Sequence, residues 1–248
     1  MATLKGLIKI EGTLDGLTFY KGKNGYFIRT KGGISKERIQ KDPAFIRTRE
    51  NANEFGLAAT AGKILRYALS TLIRNAKDNT LPSRLMSKMM LIKNQDTTSS
   101  RGQRNPAVGL TTPEGKRLLQ DFDFNGNAIL TQVLRADYSV NVTTGEIRIP
   151  GFVPGTQLNA PPGATHVTLK SALLNVDFTT EARDLKLSDP LNLRINATPK
   201  EVALAPIAVT GTGVTMILLQ LSFFQEINGV QYPLNNGAFN TLNILRVV

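Results

Sequence analysis

The sequence predicts an α+β fold: an N-terminal β-hairpin and helical pair followed by an antiparallel β-sandwich, immunoglobulin-like or jelly-roll-like. Three observations predict it. Asn24-Gly25 lies between the aromatic and β-branched runs 17–20 and 26–30, a strong short-range hairpin signal because both residues accept positive φ. Apolar residues then recur at steps of three and four from Phe45 to Ile73, one face of a long helix. From about residue 125 the chain turns into short β-prone runs separated by Gly, Pro and Asn turns, the pattern of a sandwich.

Each element has its own signals. Residues 7–11 are apolar-biased, Gly12 and Gly16 punctuate the run, and Gly32-Gly33 ends the first sheet. The hairpin turn is expected at Asn24-Gly25 in type I′ geometry, pairing Phe19-Tyr20 with Tyr26-Phe27. Asp42-Pro43 opens a helix over 43–77, an N-cap side chain followed by a proline whose missing N–H costs nothing there. Gly56, Ala58, Ala59, Ala61 and Gly62 thin the middle of that helix, which predicts close approach of another backbone. Ser83 is expected to cap a shorter second helix carrying Leu85, Met86, Met89, Met90 and Ile92, antiparallel to the first across 78–82. Residues 94–113 are polar with little periodicity and read as a linker or exposed loop. Thr112-Pro113-Glu114 starts a short helix through Leu119. Strands are expected at 129–134, 138–142, 146–149, 166–174, 191–195, 204–209, 214–225, 230–232 and 239–248. The last is strongly apolar, so it must be paired internally or with another copy. The implied organisation is a basic hairpin-plus-helix module over 1–94, a linker with a short helix over 95–124, and a sandwich over 125–248.

The chain has 248 residues, 41% hydrophobic and 20% charged, enough for a sizeable core. With no cysteine and one histidine, it excludes disulfides, thiolate zinc sites, iron–sulfur clusters and sites needing two imidazoles. No run of 18 apolar residues occurs, so no helical membrane span is expected. The first ten residues lack an apolar signal-peptide core, and cytoplasmic synthesis is expected, with release in a particle or filament as a further destination. The net charge of +11 is uneven. Residues 1–117 hold 22 Lys and Arg against 9 Asp and Glu, a net +13, and the remaining residues hold 8 against 10, a net −2. A polyanion, or the surface of a neighbouring copy, would complement the basic half.

Catalytic equipment is scarce. The segment 56–64 has five residues between its glycines and Ile64 after Lys63, whereas a phosphate-binding loop needs four and a Ser or Thr. His166 lacks a second imidazole or a thiolate and reads as structural. Asp121 with Asp123, and Glu181 with Asp184, form near pairs that flank turns and read as solvated loops. No nucleophile elbow occurs. The expectation is a protein that is not an enzyme, with no cofactor, no metal site and no small-molecule substrate. The one constellation is basic: Lys21, Lys23, Arg29, Lys31, Lys36, Arg38, Lys41, Arg47 and Arg49, with Tyr20, Tyr26 and Phe27 interleaved. Such a set can contact a polyanion or another subunit, the aromatics serving as a stacking platform or an interface.

The motifs Gly16-Leu17-Thr18-Phe19-Tyr20-Lys21, Asn24-Gly25-Tyr26, Arg29-Thr30-Lys31-Gly32-Gly33, Asp42-Pro43-Ala44-Phe45 and Arg47-Thr48-Arg49-Glu50-Asn51, with Pro161-Pro162-Gly163-Ala164-Thr165-His166 further on, resemble a family of uncharacterised proteins from Bacteroidota. The resemblance spans most of the chain. It implies a bacterial, non-enzymatic origin and carries no catalytic residue or cofactor. Together these readings predict a structural protein that self-assembles into a filament or virion-like particle as a homo-oligomer. The alternative is a nucleic-acid-binding protein that uses the basic N-terminal half.

Overall fold

A computed structural model describes residues 2–3, 6, 9–30, 33–76, 78–234 and 239–248. The chain is α+β and divides into two compact units, Met1–Asn51 and Ala52–Val248. The divisions expected at residues 94 and 124 therefore do not separate units. The helical residues after 51 share a core with the C-terminal strands.

Unit 1 is a small antiparallel sheet followed by helix. Strands β1 (Ala2–Thr3), β2 (Gly12–Leu14), β3 (Leu17–Gly22) and β4 (Gly25–Thr30) are arranged β1-β4-β3-β2. The hairpin register pairs Gly22 with Gly25, so the central turn residues are Lys23 and Asn24, one position earlier than expected. Neither has positive φ, while Gly25 sits at φ +126°. Type I′ geometry belongs instead to Asp15-Gly16, with φ 44° and 77°, between the paired Leu14 and Leu17. Helix α1 (Lys36–Lys41) is capped by Ser35, whose Oγ accepts the Arg38 N–H at 3.2 Å. Asp42 accepts the Ala44 N–H at 2.9 Å. A 3₁₀ turn at Pro43–Phe45 then leads into helix α2 (Ile46–Ala68), which continues into unit 2.

In unit 2, α2 is followed by α3 (Ser70–Ile73), α4 (Leu81–Lys93), α5 (Pro106–Gly109), α6 (Pro113–Leu119) and α7 (Leu130–Val133). Next come β5 (Ser139–Val140), β6 (Ile147–Phe152), α8 (Pro154–Gln157), β7 (His166–Val176), β8 (Arg183–Leu187), β9 (Leu191–Arg194), β10 (Lys200–Leu204), β11 (Val214–Ile227), β12 (Val230–Pro233) and β13 (Thr241–Val247). The long strands β7 and β11 pair over eleven residues each. Strands β8 and β9 share the outer edge of β7, and β12 and β13 share that of β11. A second sheet runs β10-β6-β5.

The pleat sorts the side chains into two cores. Ala172, Leu174 and Val176 of β7 and Met216 and Leu218 of β11 join Leu65, Leu69, Leu85, Met89 and Phe124 on the helical side. Val167, Leu169 and Leu173 of β7 and Ile217, Leu219, Leu221 and Phe223 of β11 meet Ile147, Ile149, Phe152, Val202 and Leu204 of the smaller sheet. The central sheet is thus covered twice, by a second sheet as in a sandwich and by helices on its other face. Gln220 points to the helical side, where its amide donates to the Leu72 carbonyl at 3.0 Å.

Several elements depart from expectation. The strand expected at 129–134 is instead the short helix α7 over Leu130–Val133, where the Asp123 carboxylate accepts the Leu130 N–H at 2.9 Å and starts a turn. The strand expected at 204–209 lies at β10, and β8 carries too many charges to read as a strand. The expected cap Ser83 sits inside α4, which opens at Leu81-Pro82. Close backbone approach is found at other glycines than those of α2. A Cβ on Gly62 would meet only ordinary contacts and one on Gly56 none, whereas a Cβ on Gly109 would stand 2.1 Å from the Ile92 carbonyl and one on Gly115 1.9 Å from that of Gly109.

Residues 95–105 are not a free linker. Asp96, 2% exposed, accepts the N–H groups of Thr98, Ser99 and Asn105 at 2.9–3.1 Å. Glu54, 3% exposed, accepts the Gly102 N–H at 2.8 Å and pairs with buried Lys93 and with Arg104. Asp78 accepts from the Thr80 N–H and hydroxyl, the Gly126 N–H and Arg84. Burial pushes the acidity of all three carboxyls the other way, but these donors overcome it. Asp78 falls from 3.8 to about 2, and Asp96 and Glu54 also lie below their ordinary values. A folded-state value below the unfolded one gives stability that is complete above the unfolded value and is lost as pH falls through the folded one. Unit 2 should therefore lose stability progressively as pH falls from 3.8 towards about 2. Circular dichroism across an acid titration measures this, and Asp78→Asn should flatten that limb.

Candidate interaction surface

The hairpin register decides what the expected site residues can do together. Tyr20 lies directly opposite Phe27, and their rings stack with centroids 5.7 Å apart. Arg29 reaches over Tyr20, its Cζ 5.4 Å from the ring. Tyr26 is paired with Lys21 on the opposite face of the sheet, with the Lys9 and Lys21 ammonium groups 5.3 and 5.9 Å from its ring. The three aromatics expected as one platform are therefore split between two faces, two on one and one on the other.

The basic residues divide as well. Arg38 pairs with Asp42 at 3.1 Å, Lys41 with Glu37 at 2.7 Å and Arg47 with Glu50 at 2.9 Å. Arg49 donates to the carbonyls of Ile39 and Asp42, closing the end of α1. These four serve the unit's own structure. Lys21, Lys23, Arg29 and Lys36 have no carboxylate partner among the described residues. Lys31 lies outside the described residues.

The face that carries Tyr26 also carries Phe19, Ile28, Leu17 and Leu14, cross-strand neighbours by register. Leu14 is 61% exposed and Leu17 40%. No described residue of unit 1 is fully buried. A four-stranded sheet normally covers at least one apolar face, because that burial supplies its stability. Here the sheet residues are at most half-buried, and Leu14 and Leu17 stay exposed.

A second exposed apolar feature was not legible as a site. The β11–β12 hairpin turns through Asn228-Gly229, both at positive φ. Ile227 is paired with Val230, and Tyr232 with Gln225, so Ile227, Val230 and Tyr232 share one face. Each is half exposed. Residues 221–234 hold one carboxylate, Glu226, and no Lys or Arg. The Asn-Gly turn was the only sequence signal.

The polar groups weighed as catalytic are engaged in the fold. His166 Nδ1 lies 2.9 Å from the Thr165 hydroxyl, and its Nε2 3.5 Å from Glu226. Asp123 is half-buried rather than solvated. It accepts from Asn243 at 2.9 Å, and burial pushes its carboxyl above the ordinary value. Asp184 accepts the Thr210 N–H and hydroxyl and pairs with Lys186 at 3.2 Å. The segment 56–64 is continuous helix. Among the described residues, no group of three or more His, Asp and Glu is placed to hold a metal ion, and no helix is long and apolar enough to cross a membrane. Compared with protein-family models, curated proteins and solved structures, the chain matches none.

Proposed function

We propose that the protein is a non-enzymatic structural protein that assembles with copies of itself into a filament or particle, with unit 1 as its docking module. One observation carries this reading: unit 1 has apolar and aromatic side chains on both sheet faces, and among the described residues it buries none of them fully. Contact with another molecule would supply the missing burial.

The occupant we assign is a second copy. Unit 1 holds 11 Lys and Arg against 5 Asp and Glu, so two such units repel each other. The β11–β12 hairpin carries no Lys or Arg over residues 221–234, so its apolar face of Ile227, Val230 and Tyr232 can meet the face bearing Leu14, Leu17, Tyr26, Lys9 and Lys21 without that repulsion. A contact between two different surfaces is heterologous, and it propagates into a filament or closes into a ring. Strand donation does not enter, because both edges of β13 are paired within the chain.

Leu14→Lys with Leu17→Lys tests one side of the contact, and Ile227→Lys with Tyr232→Lys tests the other. The four positions are exposed, so each change should alter stability by only about 0.5 kcal/mol. Each pair should shift the sedimenting species to monomer with an unchanged far-ultraviolet spectrum. Assemblies of wild-type size in both variants would refute the assigned contact.

A further inference from the structure

We propose that the groove where α2 gives way to α3 binds a nucleotide, taken either as one unit of a single-stranded nucleic acid or as a free molecule. The site is a cavity of about 460 Å³ lined by Lys63, Arg66, Tyr67, Ser70, Ile73 and Arg74. Ligand pockets commonly span about 300–1,000 Å³. The helix breaks at Leu69, with φ −103° and ψ 15°. Positions 63, 66, 67, 70 and 74 follow each other at steps of one, three and four, so they form one stripe.

The charge of this stripe is one-sided. Three cations line one cavity, and no carboxylate does. None of Lys63, Arg66 and Arg74 forms an ion pair with a carboxylate among the described residues. Earlier on the same helix, Arg47 has Glu50 beside it. Gathering like charges around a concavity is unfavourable unless an anion neutralises them. Tyr67 adds the second half of the chemistry. It is 57% exposed, although an aromatic ring of that size gains most from burial. Its ring lies 5.6 Å from the Lys63 ammonium. An accessible ring beside clustered cations suits a base stacked on tyrosine with its phosphate among the lysine and arginines. The Ser70 hydroxyl offers one more donor. This site shares no residue with the docking surfaces of unit 1 and the β11–β12 hairpin, so either reading can fail alone.

Fluorescence anisotropy with a labelled oligothymidylate, and competition by adenosine monophosphate, test it on the full chain. The oligonucleotide should bind at about 50 mM salt, with log affinity falling linearly as log salt rises. Changing Lys63, Arg66 and Arg74 together to Gln should flatten that slope by about 0.7, since the site neutralises one phosphate and each phosphate neutralised on a single strand contributes about 0.7. Tyr67→Ala should weaken binding about tenfold or more without changing the slope. Competition by the mononucleotide assigns the site to free nucleotides, and its absence, with the oligonucleotide bound, assigns it to a strand. The proposal is overturned if neither probe binds, if the triple variant keeps the wild-type slope, or if Tyr67→Ala keeps wild-type affinity.

Discussion

Deleting residues 239–248 should unfold unit 2 outright. Strand β13 pairs with β11 from Met216–Val247 to Leu221–Thr241. Its other edge is taken by residues 121–124. The Asp121 and Phe124 N–H groups donate to the Ile244 and Leu242 carbonyls at 2.8 and 2.9 Å, and the Ile244 N–H donates to the Phe122 carbonyl at 3.1 Å. The strand is therefore internal, and it serves both cores. Leu242 and Ile244 face the helices, and beyond a register shift opposite Ile217 and Leu218, Leu245 faces the smaller sheet. Losing three fully buried aliphatic side chains, at about 1.5–3 kcal/mol each, removes most of a total stability of about 5–15 kcal/mol. Asn240 is lost too, and with it the acceptor of the buried Phe223 N–H. Loss of the far-ultraviolet strand signal and of cooperative unfolding would be the result. A soluble, folded truncation that merely fails to assemble would mean that the strand belongs to a neighbour.

Glu54→Ala should cost unit 2 about 3–5 kcal/mol, because it leaves Lys93 buried without its partner. The same carboxylate receives the Gly102 N–H and Arg104, so the loop 95–105 should loosen with it. Urea denaturation gives the size of the loss, and hydrogen exchange at Gly102 gives its location. Glu54→Leu combined with Lys93→Met should recover much of the stability, since an apolar pair of similar volume needs no partner charges. A single substitution within about 0.5 kcal/mol of wild type would place the pair in solvent rather than in the core.

The α+β class was legible because its signals are local. Asp42-Pro43 caps and opens a helical stretch through one side chain and one fixed φ. Apolar spacing from Leu65 to Ile73 follows the face that a helix buries, and the runs around β7 and β11 are long and carry apolar residues at both odd and even positions because both faces of those strands are covered. The division into modules was not legible. Nothing local in Leu85 or Met89 says that they meet Leu174 and Leu218 rather than a neighbouring hairpin. The polar stretch 95–105 resembles a linker in composition, and only the fold shows Asp96 and Glu54 satisfying its N–H groups. The candidate site was half legible. Its residues were recognised by charge and aromaticity, but a strand alternates, so Tyr26 had to leave the face of Tyr20 and Phe27. The basic stripe at Lys63, Arg66 and Arg74 follows helical spacing in the sequence. The break at Leu69 that turns it into a cavity carries no Gly or Pro to announce it.

Sedimentation velocity of the full, nucleic-acid-free chain over a range of concentrations tests the central claim, that unit 1 completes its burial on another copy. The account predicts species larger than a monomer that grow with concentration and persist in the absence of any polyanion. A single monomeric boundary at every concentration would contradict it.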